Sequence, residues 1–273
     1  SQLVSKNRFP SAVAINSISF NLASLIGPGL AGWIVAWYGL GAAYFINALT
    51  YFPAILLLST LSLNLPVMSR TIKKHYYIEL LEGIAYVIKN NNIFYILLIA
   101  GIGNFFGRGL LELMPVFAAL VYDGGTNTLA SLMVATGVGA LISSIMFASG
   151  LLGRKLFTTV IIGALGSALG MFLFSISEKL IYGIIVASFL GLFASLVSIG
   201  SQTELQVRVE DHLRGRVMSL WTITIIGGPA IGAALAGAVA EQIGPSETSL
   251  FFSIISLTLV LLMLFRYRLK KFG

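Results

Sequence analysis

Three polar residues interrupt a long apolar stretch of the sequence at four-residue spacing: Asn104, Arg108 and Glu112. On an α-helix this spacing places the three side chains on one face, where the Arg and the Glu can form an ion pair. A charged side chain at the centre of a membrane costs about 2.5–3.5 kcal/mol on insertion scales, and such residues mark binding or coupling sites. The pattern predicts that Glu112 takes a proton when Arg108 moves away from it. The alternative is a static ion pair that holds helices together.

Small polar residues form stripes on two other predicted helices. In the first, Ser17 and Asn21 lie one turn apart. In the second, six residues recur at helical spacing: Ser188, Gly191, Ser195, Ser198, Gln202 and Gln206. Such stripes either pack helices together or line a path for a polar substrate, and the sequence leaves both possibilities open. Because the two stripes lie in different parts of the chain, we expect them to face one central cavity.

A Gly-Pro pair occurs in two predicted helices that lie six helices apart. Gly27-Pro28 is followed by Gly32, and Gly228-Pro229 is followed by Gly232. Small residues let helix backbones approach closely, and proline removes a backbone donor and bends the helix. One interpretation is ordinary close packing. The recurrence also predicts parts of two parallel six-helix repeats, an architecture known in transporters.

The elements that position these residues must be helices in a membrane. Of the 273 residues, 57% are hydrophobic and only 10% are charged, whereas a soluble domain has about 25% charged residues. A spanning helix needs about 20 apolar residues, and strands of a β-barrel would be shorter and alternating. The sequence therefore predicts an all-α polytopic membrane protein with eight transmembrane helices. The predicted spans are Ser11–Trp37, Leu40–Leu63, Ile93–Val121, Thr126–Leu152, Leu156–Ile176, Leu180–Thr203, Val217–Ala240 and Ser249–Phe265.

The basic residues predict how these spans are oriented. Fifteen of the 17 Lys and Arg residues fall in alternate loops on the side of the N-terminus, and only Lys179 falls in a loop on the other side. Cytoplasmic loops carry the excess of Lys and Arg. Both ends of the chain are therefore predicted to be cytoplasmic, in a plasma or bacterial inner membrane. The net charge of +7 then reflects topology rather than a nucleic-acid partner.

Several classes of function are excluded by what the sequence lacks. It has no cysteine and two histidines, which leaves no thiol chemistry and no His-rich metal site. The motifs of zinc proteases, serine hydrolases and P-loop proteins are absent, and the two aspartates, Asp123 and Asp211, lie in predicted loops. A channel would show a filter loop or a ring of acidic residues. We therefore predict a protein that is not an enzyme and needs no metal or cofactor.

The sequence divides into three predicted parts. Residues 1–65 contain the last two helices of an N-terminal half, and residues 93–273 contain a complete six-helix half. Between them, residues 66–92 form a polar linker in which Tyr77, Leu80, Leu81, Ile84 and Val87 recur at helical spacing. This spacing predicts an amphipathic helix on the cytoplasmic face. The first residues are polar, and we expect that further helices precede them.

This order of elements resembles the major facilitator superfamily, in particular the drug- and siderophore-exporter branch with its enterobactin exporters and transmembrane secretion effectors. Residues 16–47 are similar to the fifth and sixth helices of that branch, residues 81–87 to the segment before the seventh, and residues 206–219 to the loop into the eleventh. The resemblance covers the whole chain as helices five to twelve.

The resemblance implies roles for three motifs. Both Gly-Pro motifs resemble the antiporter motif of exporters, although alanine replaces other glycines around the first of them. Gly150, Arg154 and Lys155 resemble a degenerate cytoplasmic loop motif that acts as a gate, although membrane topology alone would also place two basic residues after a span. Arg214 and Arg216 are expected at the same gate, either in a solvated loop or paired with an acidic residue among Glu204, Glu210 and Asp211.

The function implied by the resemblance is secondary active transport by alternating access. We expect proton-coupled efflux of a small amphiphilic compound, such as a drug or a siderophore, by a monomer in the lipid bilayer. Two alternatives remain: a transporter of lysophospholipids or other lipids in the same superfamily, and a truncated membrane remnant that transports nothing.

Overall fold

A computed structural model describes residues 9–60, 76–149, 151 and 156–272 of the chain. All regular secondary structure in these ranges is helical, as predicted. The helices are α1 (Phe9–Thr60), α2 (Tyr76–Lys89), α3 (Asn91–Val121), α4 (Thr126–Ala148), α5 (Leu156–Ser175), α6 (Leu180–Arg208), α7 (His212–Ile243) and α8 (Pro245–Phe272). Seven helical stretches are long and apolar enough to cross a membrane, namely Gly41–Thr60 within α1 and each helix from α3 to α8.

The first two predicted spans meet at a break in α1. Gly39 has φ 78° and ψ 170°, a conformation that glycine adopts without steric cost because it lacks a Cβ atom. The break falls between the predicted ends Trp37 and Leu40. Most side chains of the first predicted span lie outside the described residues, so the count of eight spans stays a prediction.

Several helices are longer than hydropathy predicts. Helix α6 continues past Thr203 to Arg208, and α8 begins at Pro245 rather than Ser249. Hydropathy marks only the apolar part of a helix, whereas the backbone hydrogen bonds also extend through the polar residues at its ends. Helix α2 lies in the predicted linker, and the Asn90 side chain separates it from α3 by accepting a hydrogen bond from the backbone N–H of Ile93 at 3.4 Å.

Helix α6 lies between α4 and α5, while α3 packs against α7 and α5 against α8. Glycine residues allow the closest backbone contact, which lies between α4 and α6. A Cβ atom on Gly139 of α4 would overlap the backbone of Ser188, and one on Gly191 of α6 would overlap the backbone of Thr136. In lipid such close backbone packing replaces the hydrophobic effect as a source of helix association.

Buried apolar side chains form three clusters along the bundle. Helix α3 contributes to all of them, which makes it the element that connects the two ends of the core. Ile93 and Ile96 belong to the cluster at its beginning, Ile99 and Ala100 to the middle cluster, and Phe117 to the cluster near its end.

Candidate functional site

The centre of the candidate site is a buried amide between α3 and α6. Asn104 is 1% exposed. Its Nδ2 donates to the Ala100 carbonyl oxygen at 2.8 Å, and its Oδ1 accepts from the Ser198 hydroxyl at 3.2 Å. The side chain therefore keeps partners in an environment where an unpaired amide would be costly, and it fixes the relative position of the two helices.

A second polar contact joins α6 to α7, one turn away. The indole Nε1 of Trp221 donates to the Ser201 hydroxyl at 3.0 Å, and that hydroxyl donates to the Ser198 carbonyl oxygen at 3.1 Å. Ser195 and Gln202 are half-buried on α6, one turn to either side of Ser198. Polar groups of three helices thus meet along one face of α6. Sequence reasoning missed Trp221 and Ser201, whose types and spacing carry no distinctive signal.

The part of the predicted α6 stripe nearer the start of the helix contacts α4 instead of α3 and α7. Ser188 and Gly191 lie where the backbones of α4 and α6 approach most closely. This part of the stripe packs helices together, whereas Ser198 and Ser201 form hydrogen bonds with other helices. Along this helix the stripe thus combines close backbone packing with hydrogen bonds to α3 and α7.

Arg108 and Glu112 do not form the ion pair that their spacing permits. Arg108 is half-buried, Glu112 is exposed, and within the described residues no N–O distance of 4.0 Å or less joins them. Coulomb attraction between the two groups remains. Arg108 ends a π-helical turn that begins at Gly103, and Glu112 lies where the helix is interrupted. The three residues between them are α-helical, so four-residue spacing permits the pair but does not by itself bring the two side chains together.

The interruption of α3 coincides with a proline. The helix stops at Glu112 and Leu113 and resumes at Met114, with Pro115 in its first turn. Proline fits the first turn of a helix because no backbone donor is required there. Helix α3 therefore consists of two helical parts with a joint beside Glu112.

The second Gly-Pro motif lies at the contact between α7 and α3. A Cβ atom on Gly232 would overlap the Phe105 carbonyl oxygen, and one on Gly109 would lie 2.9 Å from the Gly232 carbonyl carbon. Gly228 is in looser contact with Phe105, and Pro229 begins the regular part of α7 after a π-helical turn. The motif thus provides close backbone packing next to Arg108.

The predicted gate residues are described only in part. Arg216 forms an ion pair of 2.6 Å with Glu82 of the linker helix α2, and Arg214 donates to the Val209 carbonyl oxygen at 3.3 Å. The described partner of Arg216 is thus outside the expected set, in which Glu204 pairs with Arg208 and Glu210 lies near His212, while the side chain of Asp211 is not described. Helix α2 packs against α7, which brings Glu82 to a residue far away in the sequence.

Other predicted site residues lie outside the described part of the chain. Gly150, Arg154 and Lys155 are not described. The backbone of α1 is helical at all positions of the first stripe and the first Gly-Pro motif, but their side chains are outside the description. These positions are Ser17, Asn21, Gly27, Pro28 and Gly32.

A further polar contact closes the opposite end of the bundle. Tyr122, immediately after α3, forms a hydrogen bond of 2.7 Å with Ser177 in the connection between α5 and α6. Burial raises the pKa of the Tyr122 phenol, although the bond to Ser177 opposes the shift. The neutral phenol packs against Gly183, where a Cβ atom would overlap it. Sequence analysis did not single out either partner.

Within the described ranges, no three His, Cys, Asp or Glu side chains are grouped so that they could hold a metal ion. The site consists of amides, hydroxyls, one indole and two separated charges. Such groups bind and orient polar ligands and can exchange protons.

Seven long apolar helices with a buried polar centre define a multi-pass membrane protein, within the part of the chain that the structure describes. The whole chain, residues 1–273, matches the model of a family described as transmembrane secretion effector. The chain therefore belongs to this family of the major facilitator superfamily. The family consists of transport proteins, so the prediction that the chain is not an enzyme is confirmed.

Two proteins that are similar to nearly the whole chain are both named enterobactin exporters. The enterobactin exporter EntS of Salmonella typhimurium strain LT2 is 28% identical over 265 residues, which are 96% of this chain and 63% of that protein. EntS of Escherichia coli O81 strain ED1a is 27% identical over 278 residues, which are 99% of this chain and 64% of that protein. The chain thus spans less than two thirds of the length of these relatives.

Proposed function

We propose that this protein is a secondary active exporter that moves a small amphiphilic compound, such as a siderophore or a drug, out of the cell by alternating access. The observation that carries the proposal is the family match over all 273 residues. Relatives that align with nearly the whole chain are named enterobactin exporters, which favours a siderophore-like substrate.

The polar face of α6 supports a substrate site at mid-membrane depth. Asn104, Ser198 and Trp221 come from three helices, and Ser195 and Gln202 extend the same face. A siderophore or a drug combines aromatic rings with hydrogen-bonding groups, and a few convergent polar groups among apolar side chains recognise such a ligand.

Glu112 is proposed to carry the coupling proton. A carboxylate without an ion-pair partner is costly inside a membrane, and protonation removes that cost. A nearby cation stabilises a carboxylate, so the proposal is that a movement of Arg108 relative to Glu112 accompanies proton uptake or release. The joint of α3 next to Glu112 gives the helix a place to bend during such a change.

The proposal includes the predicted topology. The protein lies in the plasma or inner membrane as a monomer, both ends of this chain face the cytoplasm, and residues 93–273 form a six-helix half after the linker helix. The excess of Lys and Arg in alternate loops supports this orientation through the positive-inside rule.

The test is siderophore secretion and drug susceptibility in a strain that lacks the gene. Complementation with the gene should restore both phenotypes. A gene that encodes Asn104→Leu should restore neither, because the leucine side chain cannot accept the hydrogen bond from Ser198. The matched control is Ser131→Ala on an exposed part of α4, which should complement fully.

Other outcomes identify the alternatives. If secretion and susceptibility do not depend on the gene while uptake of labelled lysophospholipid does, the exporter proposal is wrong and a lipid transporter is indicated. If none of the three responds, the protein is a remnant that does not transport.

A further inference from the structure

A cavity of about 540 Å³ lies at the end of the bundle where α3 and α5 begin and where α6 and α8 end. It is separate from the polar centre at Asn104, which does not line it. The lining residues are Asn91, Asn92, Phe157, Arg208, Tyr267 and Lys270.

The polar side of the cavity is rich in hydrogen-bond donors. Lys270 Nζ donates to Asn91 Oδ1 at 3.5 Å, and the Tyr267 hydroxyl donates to Asn92 Oδ1 at 3.0 Å. Both amide oxygens therefore have partners, and each amide also carries two N–H donors. The arrangement presents donors from α3 and α8 to the same space.

The lining has a positive charge. It contains two cations, Arg208 and Lys270, and no acidic residue. Glu204 pairs with the Nε of Arg208 from within the core, where the carboxylate is 4% exposed. A guanidinium bonded through Nε still carries N–H donors on both terminal nitrogens. The cavity is thus suited to a group with several anionic oxygens.

Aromatic rings form the apolar side of the same cavity. The Tyr267 ring lies 4.7 Å from the Phe157 ring and 5.4 Å from the Tyr95 ring, measured between centroids. Elsewhere on α8, Phe265 and Leu269 expose large apolar side chains. An occupant can therefore place a charged group among the donors and apolar chains along α8.

We propose that this cavity binds the phosphate headgroup of an anionic membrane phospholipid. Headgroups lie at the ends of spanning helices, and basic pockets between such helices attract anionic lipids. Phosphatidylglycerol supplies an anionic phosphate for the donors of Asn91, Asn92, Arg208 and Lys270, and acyl chains for the exposed apolar side chains of α8. The inference does not depend on which substrate is exported.

The experiment measures lipid binding to the purified, delipidated protein by native mass spectrometry. Phosphatidylglycerol is titrated, with phosphatidylcholine as the neutral comparison. A single juxtamembrane Lys or Arg contributes about a factor of five to the attraction of anionic lipid, so Arg208→Gln with Lys270→Gln should weaken phosphatidylglycerol binding about 30-fold. Lys270→Gln alone leaves the Arg208–Glu204 pair intact and should weaken it about fivefold.

The matched control removes two other positive charges from α8. Arg266→Gln with Arg268→Gln changes the net charge equally at residues that do not line the cavity, and it should retain the tightly bound lipid. Equal loss in the control and the cavity variant would show diffuse surface attraction and overturn the proposal. Equal binding of phosphatidylcholine would do the same.

A competition experiment with inorganic phosphate distinguishes a lipid headgroup from a soluble anion as the ligand of the cavity. Competition by phosphate that depends on Lys270, together with tight phosphatidylglycerol binding, supports the headgroup site. Binding of phosphate without phosphatidylglycerol binding would assign the cavity to a soluble anion and refute the lipid proposal.

Discussion

Polar residues within the spans differ in whether their side chains have hydrogen-bond or ion-pair partners. Asn104 has two hydrogen bonds and is buried, so its amide serves first to join α3 and α6. Glu112 is exposed beside the joint of α3 and has no ion pair with Arg108 in the described structure. Of the two residues, only Glu112 has a side chain that can take up a proton, so the coupling proposal concerns Glu112 and not Asn104.

The variant Glu112→Gln tests whether Glu112 carries the coupling proton. The amide keeps the shape and removes the titrating group, so proton-driven transport should collapse and lose its pH dependence while insertion and substrate binding remain. Transport is measured in inverted vesicles at several pH values. Glu178→Gln, in the connection between α5 and α6, is the control and should transport normally. A Glu112→Gln protein with an unchanged pH profile is incompatible with Glu112 as proton carrier.

At the scale of elements, α3 and α7 are both irregular where they meet. Each contains a π-helical turn, at Gly103–Arg108 and Ile223–Gly227, and the two turns are in contact. Such turns occur frequently at functional sites. The close approach of Gly109 and Gly232 fixes the separation of the helices there, which links the packing of α7 to the position of Arg108.

Gly232→Ala should separate these helices. Its Cβ would overlap the Phe105 carbonyl oxygen, and overpacking of this kind costs about 1–3 kcal/mol. Thermal unfolding of the purified protein measures the loss. Gly237→Ala is the matched control on the same helix, because no neighbour lies within 4 Å of the added atom. If both variants unfold alike, the close contact has no energetic importance.

The Glu82–Arg216 pair joins the linker helix to α7, and a double-mutant cycle with Gln at both positions measures its coupling. The side chains are 33% and 25% exposed. Because solvent and salt screen such a pair, we expect about 0.5–1 kcal/mol at low salt and less at high salt. Chemical unfolding of the four proteins supplies the values. Zero coupling at low salt would show that the pair does not hold α2 in place.

At the scale of the whole molecule, orientation in the membrane is accessible through introduced cysteines, since the chain has none. Glu178→Cys lies in the connection predicted to be outside, and His212→Cys lies at the end predicted to be cytoplasmic. A thiol reagent that does not cross membranes should label the first in intact spheroplasts and the second only after permeabilisation. The reverse labelling pattern would invert the predicted topology.

Much of the molecule follows from the linear order of apolar and polar residues. A spanning helix satisfies its own backbone hydrogen bonds, so its position depends on a local stretch of sequence, and the all-α architecture was predicted correctly. Gly39, between two predicted spans, coincides with the observed break in α1. The membrane location follows from composition, whereas the family was implied by the resemblance of single segments to a known branch and is shown by the match over the whole chain.

The contacts of the site depend on distant parts of the chain. Asn104 and Ser198 are 94 residues apart, and Glu82 meets Arg216 only because α2 packs against α7. Four-residue spacing permits an ion pair of Arg108 and Glu112, but the described structure contains none, because spacing alone does not fix how two side chains are oriented. Sequence determines which segments become helices because their hydrogen bonds are local. Side-chain partners and the cavity between helix ends depend on how the helices pack, and packing energy is shared among residues from the whole chain.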